Sequence, residues 1–277
     1  MTDSVPMNTD DTRRPATVPV DIATDELDDD VLARRLATDA GKLLLRIREE
    51  VGFAEPATLR DAGDARSHQL LARALARHRP QDAVLSEEGA DDPARLSAER
   101  VWIVDPLDGT REFAEPGRSD WAVHVALWRA GELIAGAVAL PALNVTLSAG
   151  GDAPAAARPA AAGPPRIVAS RTRAPRIVGE VAEALGASVV PMGSAGAKAA
   201  AVIRGRAEIY LHAGGQYEWD SAAPVAVARA VGLHTSRLDG SPLRYNQPDL
   251  LLPDLVICEA SLAPAVLAAI RAADPRP

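Results

Sequence analysis

Val101-Trp102-Ile103-Val104-Asp105-Pro106-Leu107-Asp108-Gly109-Thr110 is the stretch on which the fold turns. Its first four residues are β-branched or aromatic and make an unbroken apolar run, the pattern of a strand covered on both faces. Pro106 has no N–H to give to a ladder, so the chain is expected to leave the sheet there. Two carboxylates are thereby set at a strand's end, followed by a turn pair and a Thr where free N–H groups collect. Such a place suits a hard cation through its acids and an anion through its amides. The same letters also fit a plain Asp-Gly turn without chemistry, and acids elsewhere in the chain must decide.

Upstream, Leu32, Leu36, Ala40, Leu43, Ile47 and Val51 recur at helical spacing until Gly52. A second helix is expected from about Asp64 to His78, with Asp64 as its N-cap and Pro80 beyond its end. Ala83-Val84-Leu85 reads as a short strand that ends in Ser86-Glu87-Glu88-Gly89, a second apolar run closing on acids. Downstream, 121–128, 133–140 and 144–148 read as antiparallel strands, the first two joined by Arg129-Ala130-Gly131-Glu132. Residues 149–165 are almost all Ala, Gly and Pro, which places a boundary there. Beyond it strands and helices alternate, the signature of an α/β half with helices on a sheet. In Glu218-Trp219-Asp220-Ser221-Ala222-Ala223-Pro224, Asp220 precedes an Ala-rich helix, and Pro224 is expected in that helix's first turn. The organisation expected is thus a disordered tail over 1–24 and a metal-binding α+β domain over 25–150. A linker or loose hairpin over 151–165 then leads to an α/β domain over 166–277 that completes the site.

The chain has 277 residues, enough for one large or two modest domains with a substantial core. Hydrophobic residues make up 47% but aromatics only 3%, so the core must be built from Ala, Val and Leu. A net charge of −8 argues against a nucleic acid or an anionic membrane as partner. The one cysteine, Cys258, excludes an intrachain disulfide, and its apolar run makes it a small buried hydrophobe. The five histidines are scattered without zinc spacing and read as surface or core residues, not ligands. The polar first two dozen residues hold no apolar signal core, and no run is long enough to span a membrane. A soluble, cytoplasmic protein is expected.

Glu87, Asp105, Asp108 and Asp220 each stand at the end of a strand or the start of a helix. An oxygen-only set of that kind fits Mg²⁺, and several acids together repel one another unless a cation sits between them. The cations would also invert the local field that an acidic protein presents to a phosphate ester. Haloacid-dehalogenase-type phosphatases carry Asp-x-Asp-Gly-Thr. Here the spacing is one residue longer, the break is a Pro, and two helices precede the strand, so that reading is set aside.

Three motifs in order, Ser86-Glu87-Glu88, Asp105-Pro106-Leu107-Asp108-Gly109-Thr110 and Trp219-Asp220-Ser221-Ala222-Ala223, resemble the Mg²⁺-dependent, lithium-sensitive phosphatases of the inositol monophosphatase superfamily. Arg111-Glu112-Phe113 and Gly240-Ser241-Pro242-Leu243-Arg244-Tyr245-Asn246 are similar to its CysQ-type 3′(2′),5′-bisphosphate nucleotidases of actinobacterial type. The resemblance implies a layered αβαβα, sugar-phosphatase-like fold. An N-terminal antiparallel sheet with two helices would be followed by a smaller mixed-sheet α/β half. It implies Mg²⁺ held by Glu87, Asp105, Asp108, Asp220 and the Leu107 carbonyl, and a phosphate cradled by Asp108, Gly109 and Thr110. A metal-activated water would be the nucleophile, oriented by Thr110 and polarised through Asp64, with Glu87 also in a catalytic role. Gly193, Ser194 and Lys198 would handle the nucleoside and its second phosphate. The implied reaction is hydrolysis of the 3′-phosphate of 3′-phosphoadenosine 5′-phosphate to AMP; broader inositol monophosphate or fructose-1,6-bisphosphate hydrolysis is the alternative. A homodimer is that family's habit. The chain departs from the pattern in 58–64, where the loop with Lys and Thr before the acid is short and lacks the matching Thr; Asp61 is the residue placed to take over part of its task.

Overall fold

The computed structural model describes residues 27–151 and 163–273. The tail expected over 1–24, and most of the linker expected over 151–165, lie outside the described residues. Two long helices come first, α1 (Asp29–Val51) and α2 (Pro56–His78). Asp28 caps α1 by accepting the Asp30 N–H at 2.9 Å, and Gly52 ends it at φ +71°. Five strands then make the first sheet in sequence order: β1 (Ala83–Ser86), β2 (Arg100–Asp108), β3 (Ala122–Arg129), β4 (Glu132–Leu140) and β5 (Val145–Ser148), with the one-turn helix α3 (Thr110–Phe113) between β2 and β3. The β3–β4 turn places Ala130 and Gly131 at φ +48° and +100°, the doubly left-handed geometry of a tight hairpin.

The second half runs β6 (Arg166–Ser170), α4 (Arg176–Leu185), β7 (Ser188–Met192), α5 (Ala195–Ile203), β8 (Ile209–Tyr217), α6 (Glu218–Ala230), β9 (His234–Ser236), β10 (Leu251–Cys258) and α7 (Ala263–Ala273). Its sheet has the order β7-β6-β8-β10-β9, parallel among β7, β6 and β8 and antiparallel at β10 and β9.

Alternation along β2 shows how the layers stack. Trp102 and Val104 face a core shared with α1 and α2, whereas Val101 and Ile103 face one shared with α5 and α6. The second sheet is divided in the same way. Val168, Tyr210 and Ile257 face α5 and α6, and Ile167, Leu211 and Val256 face α4 and α7. The result is helices, sheet, helices, sheet, helices. The middle pair is pressed between two sheets and has no polar face, so every residue of α5 is buried. Small side chains let the layers close: a Cβ on Gly136 of β4 would lie 2.5 Å from that of Ala226 in α6. The Ala-rich, ring-poor composition follows from this double coverage.

The structure corrects four local expectations. The first sheet is antiparallel from β2 to β5, but β1 joins β2 in parallel. α2 starts at Pro56, so Asp64 lies well inside a helix and is not its N-cap. Leu59, Gly63, Ser67, Leu71 and Leu75 are its buried face, an unbroken i, i+4 series in which Gly63 and Ser67 only look like breaks. Gly63 is small for a reason: a Cβ there would meet Phe113 at 2.8 Å and Leu107 at 2.9 Å. Pro224 sits inside α6 beyond its first turn. Finally, β2 does not end at Pro106. It bulges and resumes, with Asp105 opposite His124 and Asp108 opposite Ala122.

Candidate metal centre and active site

That bulge builds the site. Side chains three positions apart on a regular strand point to opposite faces. Between the pairs Asp105–His124 and Asp108–Ala122, β2 uses one more residue than β3. The extra residue restores the parity, so both carboxylates reach the α5/α6 face. Proline is tolerated because a bulged position donates nothing to the ladder. The Pro106 carbonyl instead accepts the Ser67 hydroxyl at 2.7 Å, and Asp105 Oδ1 accepts the Leu107 N–H at 3.0 Å.

Asp105 is fully buried, and its Oδ2 has no hydrogen-bond partner. Burial, then the charges of Glu87, Asp108 and Asp220, push its carboxyl well above the usual range. Asp108 behaves in the opposite way. Burial would raise it, but His124, Ser194 and Lys198 outweigh burial and hold it down at about 2. Its oxygens receive Ser194 Oγ at 2.6 Å, Ala195 N at 3.1 Å and Gly196 N at 2.6 Å, so it anchors the N-terminus of α5. Gly109, at φ +85°, lets this approach happen: a Cβ there would lie 2.9 Å from Ser194 Cβ.

Asp220 is the third residue of α6 and accepts the Tyr217 N–H at 2.7 Å. Burial and then Asp108 raise it to about 6. Glu87 follows β1 on a loop open to solvent at one side; the surrounding protein and then Asp220 raise it to about 7. Asp64 Oδ1 lies 3.4 Å from Thr110 Oγ1, which also reaches the Leu107 carbonyl at 3.1 Å. Burial and the neighbouring Glu88 raise Asp64 to about 7. Glu87, Asp105, Asp108 and Asp220 therefore press on a shared region, in which the buried Oδ2 of Asp105 lacks a donor. The set fits a divalent cation.

One member is a histidine that the sequence pattern assigns to the surface or core and not to the site. His124 is fully buried, with Nδ1 3.0 Å from the Trp219 carbonyl and Nε2 3.3 Å from Asp108 Oδ2. Asp105, Asp108 and His124 each offer a ligand atom within 4.8 Å of the others. Burial disfavours the imidazolium, but Asp108 favours it more, and the net shift is upward. A Cβ on Gly196 would fall 2.0 Å from His124 Nε2, so this glycine makes room for the ring. In the sequence, the alternation in Val123-His124-Val125 carried the signal of an inward-facing polar residue on β3.

Asp108, Gly109, Thr110, Gly193, Ser194, Lys198 and Asp220 line one cavity of about 350 Å³. Basic side chains share the lining: Arg111, Arg171 and Arg173, together with the imidazole of His212. Arg171 is committed to Glu112 at 2.6 Å and to Glu115. Lys198 is buried and donates to the carbonyls of Gly193 at 2.6 Å and Ser194 at 2.7 Å. Burial lowers the Lys198 ammonium, and burial also lowers His212, with Lys198 adding to the effect.

Residues 30–274 match the inositol monophosphatase family. The chain belongs to that family. A Mycobacterium bovis protein named 3′-phosphoadenosine 5′-phosphate phosphatase is 56% identical over 84% of this chain and 89% of its own length. Escherichia coli 3′(2′),5′-bisphosphate nucleotidase CysQ is 32% identical over 79% of this chain and 94% of its own. Among solved structures, CysQ from Bacteroides thetaiotaomicron superposes with a TM-score of 0.67 at 27% identity, covering 83% of this chain and 97% of that one. Members of the inositol monophosphatase family thus surround the chain in both sequence and fold. No helix among the described residues is long and apolar enough to cross a membrane.

Proposed function

We propose that this chain is a Mg²⁺-dependent phosphatase that removes the 3′-phosphate of 3′-phosphoadenosine 5′-phosphate, leaving AMP and inorganic phosphate. The observation that carries the proposal is a single cavity lined both by the acids Asp108 and Asp220 and by the basic side chains Lys198, Arg111 and Arg173. A substrate with two phosphates can offer one to a cation held by the acids and the other to the basic groups. The names of the mycobacterial relatives point to the same substrate.

In this reading Glu87, Asp105, Asp108, Asp220 and the Leu107 carbonyl hold Mg²⁺. When bound, the ion neutralises the phosphate and lowers the pKa of a water nucleophile. Asp108 has two tasks, since the same carboxylate fixes the start of α5. The amides of Gly109 and Thr110 orient the phosphate. Thr110 Oγ1 orients the water, and Asp64, at about 7, is poised to hold a proton at Oδ1. Gly193, Ser194 and Lys198 place the nucleoside and its second phosphate. We also place the protein in the cytoplasm as a homodimer, which light scattering tests.

The deciding experiment is a panel of substrates with Mg²⁺: the nucleotide bisphosphate, AMP, inositol 1-phosphate and fructose 1,6-bisphosphate. The nucleotide bisphosphate should give the highest kcat/KM, with AMP as product. Faster turnover of inositol 1-phosphate or fructose 1,6-bisphosphate would overturn the substrate assignment.

A further inference from the structure

The stretch 240–246 contributes nothing to the lining of that cavity, yet hydrogen bonds connect it both to the segment that follows Glu87 and to the first turn of α6, which carries Asp220. Arg95 belongs to a 3₁₀ turn (Pro93–Ser97) that follows the Glu87 loop. It is 2% exposed and fully engaged. Nε and Nη2 donate to Asp91 at 2.6 and 3.2 Å, Nη1 to Asn246 Oδ1 at 2.7 Å, and Nη2 also to the Gln247 carbonyl at 3.0 Å. Asn246 Nδ2 returns a bond to the Arg95 carbonyl at 3.2 Å. The N–H groups of Asn246 and Gln247 donate to the two oxygens of Glu218, each at 2.7 Å. The Tyr245 hydroxyl meets that of Ser221 at 3.1 Å. Glu218 and Ser221 stand on either side of Trp219-Asp220, in the first turn of α6.

We propose that Arg95, Asn246 and Glu218 form a clasp that sets the spacing between the Glu87 loop and Asp220, and thereby the affinity of the centre for its divalent cation. The proposal rests on the metal role assigned to Glu87 and Asp220 above, and Arg95 and Asn246 are positioning residues. The two acids come from different halves of the chain and repel each other, so the Glu87 loop and the start of α6 are pushed apart unless something holds them. The clasp supplies direction at the first turn of α6: a planar guanidinium fork, an amide and a carboxylate, each bonded at both ends. Asn246 sits at φ +58°, a left-handed position that Asn tolerates and that aims its amide at Arg95.

Two variants test it. Asn246→Gly keeps the left-handed backbone and removes the amide; Arg95→Lys keeps the charge and removes the fork. Mg²⁺ affinity is read by titration calorimetry without substrate, alongside kcat at saturating Mg²⁺ and Tm in EDTA. Loss of a partner that orients metal ligands costs about 10- to 100-fold in metal affinity. We expect that loss in both variants, with kcat recovering to within about twofold of the parent once Mg²⁺ saturates. Unchanged Mg²⁺ affinity in Asn246→Gly, whatever happens to Tm or to the folding of Arg95→Lys, overturns the clasp. A parent protein that binds Mg²⁺ but ignores the nucleotide would instead refute the substrate assignment and leave the clasp standing; a parent that binds no Mg²⁺ refutes the metal role and the clasp with it.

Discussion

Replacing Asp220 by Asn should make the metal-free protein more stable while abolishing its response to Mg²⁺. Asp220 is raised from 3.8 to about 6 by burial and by Asp108. A carboxyl whose folded pKa lies above its unfolded value costs stability wherever both states are ionised. That cost fades as pH falls through the folded pKa and then the unfolded one. A shift of about two units corresponds to roughly 3 kcal/mol at pH 8, about half of that at pH 5, and almost nothing below about pH 3. Asn keeps an acceptor for the Tyr217 N–H, so the cap survives and the gain reflects charge alone. For a chain of this size the gain at pH 8 corresponds to roughly 5 °C in Tm. Adding Mg²⁺ at about 100 times its dissociation constant stabilises the parent by roughly 2.7 kcal/mol, and the variant by nothing. Differential scanning calorimetry in EDTA and in Mg²⁺, at pH 8 and pH 5, measures all four states. The reasoning is refuted if Asp220→Asn in EDTA at pH 8 melts at or below the parent, because the acids would then not be crowded.

Asp108→Asn should do the reverse in EDTA. Asp108 is held at about 2, so it stabilises the fold above pH 4, and that stability is lost as pH falls towards 2. Losing the charged anchor of α5 should cost about 2 kcal/mol at neutral pH, read by urea unfolding, and turnover should disappear. Gly196→Ala drives a Cβ to within 2.0 Å of His124 Nε2 and should cost about 1–3 kcal/mol. Combining it with His124→Ala should recover part of that loss in stability, and a double-mutant cycle showing no coupling would remove His124 from the joint. Arg173→Ala should raise KM for the nucleotide bisphosphate roughly tenfold and leave KM for a monophosphate nearly unchanged, as for the loss of a charge-assisted contact. A chelator should stop activity, and Li⁺ should inhibit it.

Periodicity made most of the architecture legible in the chain. The helix α1, the strands β1 to β5 and the start of α6 fall within a few residues of where alternation, Gly and Pro place them, and strands alternate with helices beyond residue 165 as expected. The exceptions have local causes. The start of α2 was hidden because Gly63 and Ser67 occupy its buried face, where the neighbouring Phe113 and Leu107 leave no room for larger residues. β9 is three residues long and pairs only with β10, too short to show a period. Pro106 reads as the end of a strand, and only the register against β3 shows a bulge that continues it. Arg95 gave no signal of its role, because Asn246 and Gln247, its partners across the fold, lie about 150 residues away.

By itself the sequence determined the elements, the three acidic motifs and the family they resemble, because hydrophobic period and residue chemistry are local properties. It could not decide which way those acids point or what each one feels. That followed from one extra residue in β2, which turns two carboxylates onto the same face, and from a helix layer closed between two sheets. Burial and like charge raise Asp220 to about 6, whereas His124, Ser194 and Lys198 hold the equally buried Asp108 near 2. Such differences arise from distances across the fold, and distances across the fold exist only once the chain has packed.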